Sequence, residues 1–349
     1  MRIIKIVLVL LLVNLKINAQ TPIKILTEKK GVSLRGLSIP SQKVIWASGS
    51  KGSIVKSVNG GESFEWLQLK GYESRDFRAI HAWNENEVVI VAVAAPAIIL
   101  KTMDGGVHWK KVYENTDTSM FLDAIAFKNA TEGTVIGDPI NDTIFMLHTK
   151  DRGANWERTK GSYWKSNVNK GEAFFASSNS NLAYLNDKIV FISGGIKSRL
   201  WIDGLAMDIP IIQGTNSSGA NSLSISPNLN QIIIAGGDFS KPAELNNNFV
   251  KLNRFKYPNT TNKHLSKNAY FWKFENSVSK LNGYKSSLVF LNNNWIIASG
   301  TSGVDISMNK GKKWEKISNE SFYVVQGQPN KKAAFFAGSG GRIGYYLFE

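Results

Sequence analysis

Short apolar runs broken by polar turns, with hydrophobic residues alternating at period two, fill the chain from about residue 34 onward. Seven of these runs close on a glycine or small-residue corner: Ile45-Trp46-Ala47-Ser48-Gly49, residues 88–94, Val135-Ile136-Gly137, Phe191-Ile192-Ser193-Gly194, Ile233-Ile234-Ala235-Gly236, Ile296-Ile297-Ala298-Ser299-Gly300 and Phe335-Phe336-Ala337-Gly338. Runs of Val, Ile and Phe bounded by Gly and Asn predict buried strands. A corner glycine allows backbone angles that a β-branched residue resists. A second strand signal precedes each corner, starting at Leu34, Phe77, Leu122, Glu172, Asn221, Ser286 and Phe322. Corners spaced by roughly 40–60 residues predict four-stranded units stacked around an axis. The expected fold is therefore all-β: a single seven-bladed β-propeller of four-stranded antiparallel blades over residues 20–349.

A ring must close. After Gly338 only residues 342–348 remain, enough for a third strand of the last blade but not a fourth. Residues 23–26 (Ile-Lys-Ile-Leu) precede the first unit without a partner and are expected to supply the missing outer strand. Two units look irregular. The fourth carries only a degenerate turn around Trp201-Ile202-Asp203-Gly204, and the fifth has an Asn- and Lys-rich stretch over 241–276. Within that stretch, residues 246–248 and 260–262 read as exposed loop.

One eight-residue turn occurs four times: Ser57-Val58-Asn59-Gly60-Gly61-Glu62-Ser63-Phe64, Thr102-Met103-Asp104-Gly105-Gly106-Val107-His108-Trp109, Thr149-Lys150-Asp151-Arg152-Gly153-Ala154-Asn155-Trp156 and Ser307-Met308-Asn309-Lys310-Gly311-Lys312-Lys313-Trp314. The Asp or Asn can accept hydrogen bonds from amides of its own turn. Gly61, Gly106, Gly153 and Gly311 supply a positive-φ corner, and Phe64, Trp109, Trp156 and Trp314 plug between sheets. A row of catalytic carboxylates is the alternative, but Asn59 and Asn309 replace Asp in two copies, and an amide cannot do acid–base work.

Composition refines this picture. Arg2 and Lys5 followed by an apolar run over residues 6–13 and a small residue, Ala19, predict a secretory signal at 1–19, cleaved to leave Gln20. The apolar run is too short to span a bilayer, and no later run is long enough. The protein is therefore expected to be exported, periplasmic or secreted, with no transmembrane segment after cleavage. The formal charge is +15, and loss of Arg2, Lys5 and Lys16 leaves +12. The lysines are scattered, which predicts a solvated surface and no nucleic-acid partner. With no Cys there are no disulfides or thiolate metal sites, and the four His residues show no ligand spacing. No metal and no cofactor are expected, and the chain is expected to be a monomer.

The four turns resemble the Asp-box, or BNR, repeats of sialidases, sortilin-type receptors and photosystem II stability and assembly factors. Short blades with a lone inner-strand Arg look most like the assembly-factor group. Ser33-Leu34-Arg35-Gly36-Leu37, Gly137-Asp138-Pro139, residues 194–200 and residues 219–222 are similar to exported bacterial propellers that carry the label "oxidoreductase". The resemblance covers most of residues 31–349. It implies a propeller that binds a protein or glycan partner through one face of its central channel without catalysis.

Register against the apolar residues places Arg35, Arg78, Asp123, Glu172 and Asn221 at one equivalent inner-strand position, with Lys285 or Ser286 and Phe322 or Tyr323 completing the ring. Asp138, Arg199 and Asp238 follow the corners and are expected to join the same rim. These groups either satisfy one another across the channel or form a ligand mouth. A sialidase-like hydrolase would need an Arg cluster, a Tyr–Glu nucleophile pair and an Asp acid, for which Arg35, Arg78, Arg199, Tyr323, Glu172 and Asp123 have the residue types. However, the Phe-Arg-Ile-Pro start usual in sialidases is absent, and those rings have six blades. A redox protein, suggested only by the label, lacks any Gly-x-Gly-x-x-Gly between a strand and a helix.

Overall fold

The computed structural model describes residues 23–164, 166–256, 270–275 and 280–348. The expected signal segment and the loop at 260–262 lie outside them. Among the described residues, apart from a single 3-10 turn at Gly161–Tyr163, every regular element is a strand. Five separate four-stranded antiparallel sheets and one larger sheet, formed where the fourth and fifth blades join at Gly194↔Gly219, make up seven blades. The first blade runs from the axis outward through Leu34–Ser38, Ile45–Gly49, Ser53–Ser57 and Glu65–Gln68. The innermost strands of the others are Phe77–Ala82, Leu122–Phe127, Leu182–Leu185, Ser218–Ile225, Ser287–Phe290 and Val324–Gly327. Each of the seven corners ends or lies within a second strand, and those strands are almost fully buried.

The ring closes as the chain ends require. Lys24–Thr27 pairs antiparallel with Ile343–Leu347 and completes the seventh blade. Its residues also touch the first blade, where the indole of Trp66 donates to the Thr27 hydroxyl at 3.1 Å.

The boxes join blades. In each, the Ser or Thr hydroxyl donates to the Asp or Asn oxygen at 2.8–3.0 Å and accepts the amide of the box glycine at 2.9–3.0 Å. The same Asp or Asn oxygen accepts the amide four residues on, at 2.8–3.0 Å. Only a carbonyl-type oxygen is required, which is why Asn59 and Asn309 serve as well as Asp104 and Asp151. A side chain at Gly311 would come within 2.8 Å of the Phe249 ring of the preceding blade, so the glycine is demanded by close approach as well as by its φ of 75°.

Lysines add a second link that the spacing of charges did not suggest. Lys56, Lys101 and Lys251 each donate to a backbone carbonyl in the box turn of the next blade, those of Gly105, Arg152 and Lys310, at 2.8–3.1 Å.

The two irregular units need correction. The turn at Asp203-Gly204 is a two-residue hairpin, both residues at positive φ, linking Arg199–Ile202 to Leu205–Asp208. The stretch after residue 248 in the fifth blade is not simply loop: Phe249–Lys256 and Tyr270–Glu275 are its third and fourth strands. Asn246 and Asn247 are exposed as expected, but Asn248 is buried and donates to the carbonyls of Leu281 and Gly283.

The larger difference lies in the fourth blade. Glu172–Ala173 pairs with the far end of Lys188–Gly195 and is not the innermost strand. That position belongs to Leu182–Leu185, and the intervening residues 175–181 cross the axis. The backbone amide of Ile125 donates to Asn179 Oδ1 at 2.8 Å, and Asn179 Nδ2 donates to the Ile80 carbonyl at 3.1 Å. Ser178 Oγ donates to the Ser286 carbonyl at 2.5 Å, and Ser180 Oγ to Ser222 Oγ at 2.7 Å. This small polar segment therefore ties blades two, three, five and six together and divides the channel into two mouths.

Candidate functional site

Four inner strands carry a β-bulge at one height. The pairing slips between Leu34 and Gly36, Phe77 and Ala79, Leu122 and Ala124, and Ala220 and Ser222. The extra residues are Arg35, Arg78, Asp123 and Asn221. A bulge turns its unpaired residue away from the ladder, so these side chains are re-aimed toward the axis. Ser286 and Tyr323 occupy the same position in the sixth and seventh blades, each just before its named strand. Lys285 and Phe322 point elsewhere: Lys285 is fully buried against Asp305 at 3.2 Å, and Phe322 fills the core beside Phe336.

On the corner side of the plug lies a cavity of about 470 Å³ walled by Arg35, Arg78, Asp138, Asn221, Tyr284 and Tyr323. Phe121, Phe174, Phe175 and Phe239 form its apolar side. Phe239 is half exposed at the rim.

Each cation is held differently. The Arg35 guanidinium lies over the Tyr323 ring at 4.0 Å and donates to the Ser177 carbonyl at 3.1 Å. Burial, then the nearby Arg78, lowers its pKa, while Tyr323, Tyr284 and Asp76 act in the opposite direction. Arginine remains charged in such a setting. Arg78 Nε pairs with Asp76 at 2.7 Å in a partly exposed contact, and Arg78 lines the mouth. Asn221 is engaged on both sides: its oxygen accepts from Ser177 and Tyr284, and its amide donates to the Gly219 carbonyl.

The carboxylates are poised differently from the cations. Asp123 is completely buried, and neither oxygen has a hydrogen-bond partner among the described residues. The nearby Asp138 amide is already taken by the Phe121 carbonyl. Burial, then repulsion from Asp138, raises the Asp123 pKa well above the usual range, only partly offset by Arg78 and by the nearby backbone amides of Ala176 and Asp138. Asp138 accepts the Phe174 amide at 2.7 Å, and burial pushes its pKa up to about 6. The mouth therefore holds two guanidinium groups and one carboxyl, Asp138, that loses its proton only as pH rises through about 6, with Asp123 buried outside its lining.

The sign of the Asp138 effect sets a pH prediction. Its folded pKa exceeds the unfolded value of about 3.9, so its stabilising contribution is complete below that value and lost as pH rises through about 6. Asp138→Asn cannot ionise. It should be more stable than the parent at pH 7.5 by about 1–2 kcal/mol and equal to it near pH 4. Denaturant titrations at the two pH values check this; a variant less stable at pH 7.5 would show that the carboxylate is needed in its charged form.

Three further residues lie outside the mouth. Glu172 and Arg199, expected at the rim, form a buried ion pair: Arg199 Nε donates to Glu172 Oε1 at 2.8 Å, and a second bond joins Arg199 Nη2 to Oε2. Ser193 and the Asn169 amide also donate to Glu172, and Arg199 stacks on Trp201 at 4.4 Å. Glu172 left the ring because residues 175–181 took its place across the axis. Asp238 caps its own turn by accepting the amide and hydroxyl of Ser240 at 2.9 and 2.7 Å. Burial acts to raise its pKa, but bonds from Ser240 and Ser217 prevail and hold it below the usual value.

The described residues contain no group of three or more His, Cys, Asp or Glu placed to hold a metal. His81 sits against Trp83 and Phe127, His148 bonds Thr134 at 2.8 Å, and His108 pairs with box residue Asp104 at 2.6 Å. No helix among the described residues is long and apolar enough to cross a membrane.

A profile described as photosystem II assembly factor YCF48 matches residues 66–164, through the second and third boxes. Two solved structures resemble the whole ring. The first, "YCF48 bound to D1 peptide", is 17% identical with a TM-score of 0.59, covering 94% of this chain and 96% of that one. The second, YCF48 from Cyanidioschyzon merolae, is 15% identical with a TM-score of 0.56, covering 94% of this chain and 99% of that one. No curated protein matches in sequence. The structures share the β-propeller fold with this chain, and the profile is similar to it over the second and third boxes.

Proposed function

We propose that this BNR-type propeller is a non-catalytic binding protein that holds an acidic, extended segment of a protein partner in its corner-side mouth. The reading rests on one observation above all: two guanidinium groups, Arg35 and Arg78, line an open cavity beside four phenylalanine rings. That leaves positive charge beside an aromatic wall, a setting suited to a carboxylate flanked by an apolar side chain. The structural relative holding a peptide supports a peptide over a glycan. Export, expected from residues 1–19, would put the partner in the cell envelope.

The hydrolase alternative loses its nucleophile to the ion pair. Both oxygens of Glu172 are engaged by Arg199, Ser193 and Asn169, away from the mouth. A group so committed cannot also orient a reacting Tyr323.

Fluorescence anisotropy with labelled acidic peptides bearing aromatic residues tests the proposal. Arg35→Ala/Arg78→Ala should weaken the best peptide at least about tenfold, the scale of one or two lost charge-assisted contacts. Melting should be nearly unchanged. Undiminished peptide binding, or binding only to anionic glycans, would remove the proposal.

A further inference from the structure

The fifth blade differs from the others in its outer strands. Its third strand continues after its inner neighbour has ended: the last register pair with that neighbour is Gln231↔Asn253, and the last backbone bond is from Arg254 to the Asn230 carbonyl. Beyond this point Arg254, Phe255 and Lys256 pair only with Trp272, Phe271 and Tyr270. A two-stranded ribbon therefore projects from the edge of the blade.

Aromatic side chains occur on both faces of this ribbon. Phe255 and Phe271 stand opposite each other and stack at 5.6 Å; the reverse face carries Tyr270 and Trp272, the latter packing against the blade core, with Phe274 on that face further in, opposite Leu252. Phe255, Tyr270 and Phe274 are 44%, 42% and 39% exposed, high values for rings of this size. Charge accompanies them: the two strands carry Arg254, Lys256 and Lys273, while their one carboxylate, Glu275, is bound to the buried Lys251 and to Asn253.

We propose that this ribbon is a peripheral docking element for an anionic lipid surface. A protein groove would cover one face of a ribbon, whereas the boundary between headgroups and acyl chains surrounds both. Aromatic rings with cations beside them are the combination favoured at that depth. A nucleic acid would need open ring faces for base stacking. Here the Phe255 and Phe271 rings face each other, and the Arg254 guanidinium covers Tyr270 at 3.7 Å. Docking would turn the face opposite the corner-side mouth toward the membrane, since the ribbon leaves the blade at the end away from Gly236, and it does not depend on what the mouth binds.

Co-sedimentation with vesicles tests the idea, using pure phosphatidylcholine against phosphatidylcholine with about one-third phosphatidylglycerol. The intact protein should bind the anionic vesicles and leave the neutral ones. Binding should fall at least about tenfold both in Phe255→Ser/Tyr270→Ser, which preserves charge, and in Arg254→Glu/Lys256→Glu/Lys273→Glu. The matched control Lys30→Glu/Lys70→Glu/Lys110→Glu, with the same change in net charge on distant blades, should bind as the parent does. Melting curves confirm that all variants are folded. No vesicle binding by the parent, full binding by the serine variant, or equal loss in the matched control would each overturn the proposal. So would tighter binding of a single-stranded oligonucleotide with the same dependence on Phe255 and Tyr270.

Discussion

A protein lacking residues 20–30 should melt about 10 °C or more below the parent. The strand Lys24–Thr27 holds two blades at once. Ile23 is buried with Phe322 and Phe348 in the seventh blade, and Leu26 packs into the cluster shared with Ile45 and Phe335. Removing both forfeits about 3–5 kcal/mol of apolar burial. It also strips the backbone partners from Ile343–Leu347 and leaves an unpaired edge where the ring should close. At roughly 2 °C per kcal/mol for a chain of this size, the lost burial alone lowers the melting point by about 6–10 °C, and the lost strand pairing adds to that. Thermal unfolding followed by circular dichroism measures it, and an unchanged curve would mean that the seventh blade is stable with three strands.

Arg199→Met should be the most damaging single substitution in the fourth blade, at about 3–5 kcal/mol. The Glu172 side chain is fully buried, and removing its guanidinium strands a charge that burial strongly penalises. The double variant Glu172→Gln/Arg199→Met should recover much of the loss, because it leaves polar groups in place of an unpaired ion. Chemical denaturation of the three proteins gives the coupling directly. Additive losses would show that the two residues act separately, contrary to their bidentate geometry. The same cycle bears on function: if Glu172 were a nucleophile, its substitution should change activity and not stability.

Most of the architecture was legible along the chain. Apolar runs ending at Gly49, Gly137, Gly194, Gly236, Gly300 and Gly338 have a period that stacked sheets impose, and local residue types are enough to show it. The box turn was legible for the same reason: its hydrogen bonds run between residues two to four apart. Even the closure followed from counting strands, because an antiparallel ring leaves no other use for residues 23–26.

The register of the axial ring was readable wherever a blade kept its standard length. Arg35, Arg78, Asp123 and Asn221 all occupy the bulge. It failed for Glu172, because apolar matching has no term for an insertion that leaves the sheet. One signal was present: the run Ser177-Ser178-Asn179-Ser180-Asn181, too polar and small for an inner strand, followed by Leu182-Ala183-Tyr184-Leu185 and the turn residues Asn186-Asp187. The third and fourth strands of the fifth blade have no box turn to mark their bounds, and nothing local shows that Lys251 is buried by reaching the Lys310 carbonyl of the next blade.

The sequence by itself determined the blade count, the corners, the inter-blade turns and the joining of the two chain ends. All of these are encoded by residues close in the chain or by simple strand counting. Only the tertiary structure decided which polar groups meet at the axis, since that depends on where seven separate strands converge. It took Glu172 and Arg199 out of the mouth and put a serine- and asparagine-rich crossing in the channel. It also surrounded Asp123 and Asp138 with enough protein to raise their pKa values beside Arg35 and Arg78. Burial and long-range electrostatics are properties of the assembled ring, and no local pattern of residues carries them.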